Sequence, residues 1–510
     1  MPANANLYAT FEQRFRAAGA RTAFTMADGG TVSYAAFADN VARMANALES
    51  LGVGAGDRVM AQAEKSLANV ELYLATLKVG AAFNPLNTAY TAAELEYFMG
   101  DAEPSLLVIA PDKLARIEPI AAAKNVARIV TMDNSGAGSL VELQSLQSSD
   151  HATAVRAPDD LAALLYTSGT TGRSKGAMIT HRNLGSNAEV LHAYWGFKAD
   201  DVLLHALPIF HVHGLFVAIN TSFLNTTPII WLAKFELEPV LRLLPKATVM
   251  MGVPTFYTRL LGHPAFGKDH CRNLRLVISG SAPLLAETHV EFEQRTGHKI
   301  LERYGMTEAG MITSNPYAGG DRRAGTVGYA LPGIDVRVAT PDGAKILPAG
   351  EVGVLEVKGP NVFAGYWRNP EKTREDFRAD GYFITGDLSL MESDGRVTIV
   401  GRAKDLIISG GFNVYPKEVE DEINALAGIG ESAVVGVPHP DFGEGVVAIV
   451  TPAPGAPAPS EAQILAKLAE RLAKFKLPKR VFVVRELPRN AMGKVQKAEL
   501  RKSYTDLFSK

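Results

Sequence analysis

A chain of 510 residues, 47 % hydrophobic and 21 % charged, has room for about three domains, or for one large domain and a small one, and its composition excludes bulk disorder. Its 52 basic and 54 acidic residues leave a net charge of −2, which argues against a general basic face for nucleic acid or an anionic membrane. One cysteine, Cys271, allows neither an intrachain disulfide nor a cysteine-rich metal site, so a reducing compartment is expected, with Cys271 as core filler. The N-terminal residues lack a basic segment followed by an apolar stretch, and no apolar run approaches the ~20 residues that span a bilayer. A soluble, cytoplasmic protein is expected.

The first 160 residues alternate helix-like and strand-like patterns. Over 33–52, Phe37, Val41, Met44, Ala45 and Leu48 share one helical face, and Gly52 closes the helix. GDRVMAQ and SLLVIA read as short strands, and PLNTAYTAAELEYFM as a turn followed by a helix. From 248 to 296 the alternation repeats. TVMMGVP is a strand, PTFYTRLL a helix opened by Pro254, LRLVIS a buried strand, and LLAETHVEFEQRTG a helix. Such strand–turn–helix units put loops at the carboxyl ends of strands, where open α/β sheets bind ligands.

Beyond about residue 325, GIDVRVAT, GEVGVLEVKG and GRVTIVG are short strands spaced by turn residues, a β-rich subdomain. In the last ~105 residues Pro416 opens a helix through 426, SAVVGVP and GVVAIV are strands, and EAQILAKLAERLAKF is a helix, giving a compact α+β tail. The Pro/Ala run 452–459 is expected to be a stiff loop inside that tail. The expected fold is therefore α/β: a large N-terminal domain (1–401) of layered α/β subdomains plus a β-rich subdomain, and a small α+β C-terminal domain (402–510).

The sharpest local signal is Tyr166-Thr-Ser-Gly-Thr-Thr-Gly-Arg-Ser-Lys175-Gly. From 167 to 175 every position is glycine, hydroxyl-bearing or cationic, a chemistry suited to polyphosphate. It does not fit the Walker A spacing. Five further segments follow in order: SGSAPL (279–284), Tyr304-Gly-Met-Thr-Glu308, Thr385-Gly-Asp-Leu388, Gly401-Arg-Ala-Lys-Asp405 and Pro488-Arg-Asn-Ala-Met-Gly-Lys494. Each is common by chance; the ordered set resembles the acyl-adenylate-forming superfamily of acyl-CoA synthetases, adenylation domains and luciferase-like enzymes, over essentially the whole chain.

That resemblance implies carboxylate + ATP → acyl-adenylate + pyrophosphate, then thioester formation with coenzyme A. The carboxylate is already a nucleophile, so the obstacle is electrostatic, and catalysis reduces to positioning and charge neutralisation. The resemblance implies that Thr167, Ser168, Gly169, Thr170 and Thr171 wrap the β- and γ-phosphates, with Lys175 adding charge. It implies Glu308 on Mg²⁺ and Thr307 on the α-phosphate. Tyr304 would face one side of the adenine, with Gly280, Ser281 and Ala282 on the other. Asp387 and Arg402 would hold the ribose. Lys494 would bridge the carboxylate and the α-phosphate as charge develops, a task that suits an ammonium on a flexible stem. The small domain would rotate about Lys404 after adenylation, with Gly410 and Gly411 at the mouth of the pantetheine tunnel. Acetylation of Lys494 by a lysine acetyltransferase would remove the charge adenylation needs.

Three features bear on the acid. Arg303 precedes Tyr304, Arg259 lies on the apolar helix FYTRLL, and LPIFHVHGL supplies His211 and His213. A buried arginine is costly unless an anion meets it, and a second carboxylate would do so in bidentate geometry, with a hydrogen bond from Ser281. The bland alternatives pair Arg303 with Glu302 or a phosphate, and leave Arg259 exposed on its helix. As a set, HALPIFHVHGLF, VPTFYTRLL, ISGSAPLL, LERYGMTE and ISGGFNVYPKEVE resemble the malonyl-CoA synthetases, in which Arg173, Lys175 and His211 match substrate or nucleotide positions. The expected substrate is malonate, with methylmalonate accepted where the Cα side of the pocket has room. His211 has a gating or lining role across the family, and His213 is assigned to the core or to a supporting layer. A short-chain or aryl monocarboxylate–CoA ligase is the second reading, and a non-catalytic nucleotide-binding homologue the third.

Overall fold

A computed structural model describes residues 4–126, 128–167, 174–457, 459–490 and 493–509. The chain forms two compact units, residues 1–335 with 357–383, and residues 336–356 with 384–510. Residues 384–401 thus pack with the tail rather than with the first 335 residues.

The first unit is built on two sheets. In one, the strands Leu301–Met306, Leu276–Ser279, Val249–Gly252, Leu203–His205, Ile229–Trp231 and Thr22–Met26 lie side by side in that order, all parallel, with antiparallel strands at both edges. In the other, Ile129–Thr131, Leu106–Ile109, Arg58–Gln62, Ala82–Pro85 and Leu161–Thr167 are parallel, and Lys175–Thr180 folds back on the last as a hairpin. Parallel strands need crossovers, and the helical segments read from the sequence supply them. Helix Tyr34–Ser50 starts at Ser33, whose side chain accepts from the backbone N–H of Ala36, and it buries Phe37, Val41, Met44, Ala45 and Leu48 as expected. Helix Ala92–Ala102 begins with a Thr91/Glu94 capping box. An aromatic core lies behind the larger sheet: Phe15 meets Phe223 edge-on at 5.0 Å, Phe24 meets Phe37 at 5.0 Å, and Phe24 meets Trp231 at 5.6 Å. Such pairs add about 0.5–1.5 kcal/mol each beyond their buried area.

The second unit holds the β-rich sheet Asp335–Ala339, Gly353–Lys358, Phe383–Met391 and Val397–Arg402. It also holds a five-stranded sheet centred on the hairpin Ile429–His439 and Gly443–Pro452. Helix Pro416–Asn424 opens at proline as read from the sequence, and the Pro/Ala run joins Gly443–Pro452 to helix Glu461–Ala469 within this unit. One expectation is corrected here. The last long helix stops at Ala469 instead of running to 475, because Leu472, Phe475 and Leu477 fold back through a short turn onto the core of Val434, Val446, Ile464 and Leu468. Burying those apolar groups outweighs extending an exposed helix.

Among the described residues no helix is long and apolar enough to cross a membrane.

Candidate active site

The carboxyl ends of the parallel strands in the first unit gather several of the side chains singled out in the sequence. Strand Leu276–Ser279 runs beside Leu301–Met306 with Ser279 opposite Glu302. The next residue on each is then Gly280 and Arg303, and they face each other: a Cβ on Gly280 would lie 2.6 Å from Nε of Arg303. Arg303 is 4 % exposed, and neither its Nε nor its Nη2 has a hydrogen-bond partner. Burial pulls its guanidinium down to about 9. Glu302 does not answer it. Successive strand residues point to opposite faces, and Glu302 instead meets His289 Nδ1 at 3.1 Å. Among the described residues no carboxylate pairs with the buried Arg303.

The rest of this cluster follows from two loops. Ser281 sits in the left-handed region at φ 74°, a costly place for a residue with a side chain. That conformation brings its hydroxyl 3.2 Å from Nδ1 of His213. His213 is fully buried, its Nε2 has no partner, and burial, then the Arg303 charge, then His211 hold its pKa well below the usual imidazole range. It is therefore a neutral ring at neutral pH. Half-buried His211 accepts from the backbone N–H of His213 at 3.3 Å. Arg259 is not gathered into this cluster. Its helix, Pro254–Leu261, turns Phe256, Tyr257, Leu260 and Leu261 inward and leaves Arg259 exposed.

The phosphate-loop residues Ser168, Gly169, Thr170, Thr171 and Arg173 lie outside the described residues. The two ends of that loop are described. Thr167 and Lys175 are the terminal pair of the hairpin register. One helix holds both ends: Asp101 accepts from the Tyr166 hydroxyl at 2.6 Å, and the Tyr97 hydroxyl donates to the carbonyl of Ser174 at 2.7 Å. Lys175 Nζ stands 5.4 Å from the ring centroid of Tyr366, whose hydroxyl lies 3.4 Å from the carboxylate of Glu308. The phosphate-loop lysine and the expected metal ligand are therefore linked through one buried tyrosine. Tyr304, Thr307, Ser281 and Ala282 are half-buried, and Glu308 is buried with its backbone carbonyl accepting from Phe363. Among the described residues no cluster of three or more His, Cys, Asp or Glu could cage a metal ion. A lone carboxylate such as Glu308 suits Mg²⁺ held mainly by phosphates and water.

In the second unit Asp387 and Arg402 are cross-strand partners, with Arg402 Nε 2.9 Å from the Asp387 carboxylate. The Asp387 backbone donates to Thr385 Oγ1, which donates to the carbonyl of Leu355. Lys404 is exposed in the short turn Ala403–Asp405, and Asp405 is tied to Arg501 at 2.9 Å. Gly410 and Gly411 form a two-residue hairpin loop between Ile407–Ser409 and Phe412–Val414, with φ of 60° and 82°. Two successive positive φ values are the requirement of a type I′ turn, which is why both positions are glycine. Lys494 is exposed at the end of a turn in which its N–H donates to the Asn490 side chain and its carbonyl accepts from the Asn490 N–H, both at 3.0 Å.

Tyr97, Asp101 and Tyr366 were not singled out in the sequence. Tyr366 carried a weak signal, an aromatic pair in Ala364-Gly-Tyr-Trp367, whereas Tyr97 and Asp101 look like ordinary amphipathic-helix residues. Cys271 is buried with its thiol pushed up to about 12, which fits a core filler and not a nucleophile.

Residues 11–367 match the AMP-binding enzyme family, and residues 418–494 match the AMP-binding enzyme C-terminal domain. A malonate–CoA ligase of Arabidopsis thaliana is 35 % identical over 89 % of this chain and 79 % of its own length. A feruloyl-CoA synthase of an Amycolatopsis species is 36 % identical over 93 % of this chain and 95 % of its own. The crystal structure of ATP-bound MatB from Rhodopseudomonas palustris superposes with a TM-score of 0.96 and 54 % identity, covering 99 % of this chain and 100 % of that one. Fold, ordered motifs and relatives converge: the chain belongs to the AMP-binding enzyme family and is an AMP-forming acyl-CoA ligase.

Proposed function

We propose that the acid is malonate, so that the reaction is malonate + ATP + CoA → malonyl-CoA + AMP + pyrophosphate through a malonyl-adenylate. The observation that carries this reading is Arg303. A buried guanidinium whose Nε/Nη2 edge has no partner among the described residues is costly on its own, and a second carboxylate would both neutralise it and accept two parallel hydrogen bonds. Ser281 and neutral His213 add polar groups at the same place. Arg259, exposed on its helix, is assigned no contact with the acid and acts only as a surface cation that attracts a dianion. The malonate–CoA ligase and MatB relatives support the choice, and the feruloyl relative marks the aryl monocarboxylate as the competing reading.

The ligase uses ATP, Mg²⁺ and CoA. The reacting carboxylate of malonate needs no base; it needs its charge and that of the α-phosphate offset as they approach. We assign Lys494 and Thr307 to that task, Lys175 and the phosphate loop to the departing pyrophosphate, and Asp387 with Arg402 to the ribose. Glu308 would hold Mg²⁺, which when bound withdraws charge from the phosphate oxygens. His211 is assigned to the lining between acid and thiol, and Lys404 to the hinge. Acetylation of Lys494 would abolish the first half-reaction by removing its charge.

The test is CoA-thioester formation with malonate against 3-methylbutanoate, which has nearly the same shape but no second carboxylate. A site with unpaired buried donors should reject the apolar acid by ~10⁴. Comparable rates for the two acids would leave the ligase and remove malonate.

A further inference from the structure

A second buried cation lies next to the acid pocket, and its hydrogen bonds state its charge. Lys65 follows strand Arg58–Gln62 of the smaller sheet, is 8 % exposed, and reaches across to the larger one. Its Nζ lies 2.6 Å from the carbonyl of Leu232, 3.1 Å from the carbonyl of His205 and 2.8 Å from His205 Nδ1. The ammonium position also stands 4.2 Å from the centroid of Trp231, on which the His205 ring stacks at 5.2 Å. No carboxylate among the described residues pairs with Lys65.

The partners match a protonated pair. His205 Nε2 is 2.9 Å from the carbonyl of Gly214, which only accepts, so Nε2 carries a hydrogen. Two of the Lys65 contacts are also carbonyls. A neutral amine has two N–H groups for the three acceptors, whereas an ammonium has one for each of the Leu232 carbonyl, the His205 carbonyl and Nδ1. One extra proton on the lysine, or equally on Nδ1, satisfies every group. The match of three acceptors to three N–H groups favours one positive charge shared by the Lys65–His205 pair. Burial pushes both groups below their ordinary pKa values, and the hydrogen bonds and the Trp231 face are what retain the charge.

The pair is continuous with the pocket. Gly214 follows His213, at the start of the π-helix His213–Ile219, and a Cβ there would run into the backbone of Pro208, so the segment 205–214 is drawn closed. A short helix of this kind often marks a functional site. The chain of contacts runs from Lys65 through His205 to the Gly214 carbonyl, and from the adjacent His213 to Ser281 beside Gly280 and Arg303.

We propose that Lys65 and His205 form a positioning pair that sets His213 and Ser281 for the distal carboxylate of the acid and, with its single charge, biases the pocket toward a dianion over a monoanion. This rests on the malonate reading, and the test separates the two. Lys65→Met keeps the length of the side chain and removes the charge. The expected result is a malonate KM raised ~10-fold, an ATP KM changed less than two-fold, and a malonate/3-methylbutanoate selectivity lowered by a similar factor. The ¹⁵N signals of the His205 and His213 rings should both move. If Lys65→Met does not fold, Lys65→Gln removes the charge while leaving a donor for the Leu232 carbonyl, and the same shifts are expected. An equal loss for both acids, or an unchanged malonate KM, overturns the proposal. If wild-type protein does not prefer malonate, the malonate reading fails by itself; the His213 ring signal then decides positioning, a shift upholding it and no shift ending it.

Discussion

Gly280 and Arg303 are fitted to one another: a Cβ at position 280 would stand 2.6 Å from Nε of Arg303, closer than such carbons approach their neighbours in folded proteins. Arg303 comes from the adjacent strand and has no room to retreat, since it is buried. Gly280→Ala should displace the guanidinium by about an ångström and cost kcat/KM for malonate about 100-fold. ATP-dependent binding measured separately should fall far less. Retention of malonate turnover in this variant would mean that Arg303 does not contact the acid.

Removing the guanidinium should separate stability from activity. Arg303→Met replaces an unpartnered buried cation with an apolar chain of similar reach, so the melting temperature should hold or rise. The same change should lower kcat/KM for malonate at least ~10²-fold, because a charge-assisted bidentate contact is lost. Arg259→Ala, by contrast, should alter mainly the salt dependence of malonate KM, since Arg259 is exposed. Thermal melts and thioester assays on the two variants check this, and equal effects of the two would be inconsistent with the burial difference.

The clamp on the phosphate loop gives a nucleotide-specific effect. Tyr97→Phe and Asp101→Ala each remove one hydrogen bond from an end of that loop. A bond worth ~1 kcal/mol predicts an ATP KM raised about five-fold with malonate KM unchanged. Steady-state kinetics with each substrate varied in turn provides the check.

Lys494→Ala should divide the two half-reactions. Malonate-dependent pyrophosphate release should fall at least ~10²-fold, while thioester formation from supplied malonyl-adenylate and CoA should continue. Loss of both in parallel would show that Lys494 serves the fold or both steps alike.

Acid should loosen the N-terminal helix at one histidine. His181 accepts from the backbone N–H of Leu7 through Nδ1, and burial, the first cause, lowers its pKa to about 4. Its folded pKa lies below the ordinary 6.5, so the unfolded chain binds the proton first. The contribution is whole above pH ~6.5 and is lost as pH falls toward about 4, at most about 3 kcal/mol. Denaturant melts of wild type and His181→Gln between pH 7 and 4 should converge as pH falls. A constant gap would assign the acid sensitivity elsewhere.

The sequence by itself determined the family, the reaction type and the element order. Those rest on local patterns: a glycine- and hydroxyl-rich run at 167–175, strand–glycine–helix units at 248–296, a proline at 416, a Gly-Gly pair at 410–411 whose positive φ values are a local necessity. It also proposed Arg303 as an anion receptor, from the type of residue beside Tyr304. What it could not decide is whether that arginine had a partner. That answer depends on strand alternation, which sends Glu302 to His289, and on a parallel neighbour that brings Gly280 opposite Arg303. The exposure of Arg259, the linkage of Lys175 and Glu308 through Tyr366, and the Lys65–His205 contact are likewise tertiary facts. Residues 140 apart in sequence meet there because two sheets present their strand ends to each other, and no local periodicity encodes the meeting.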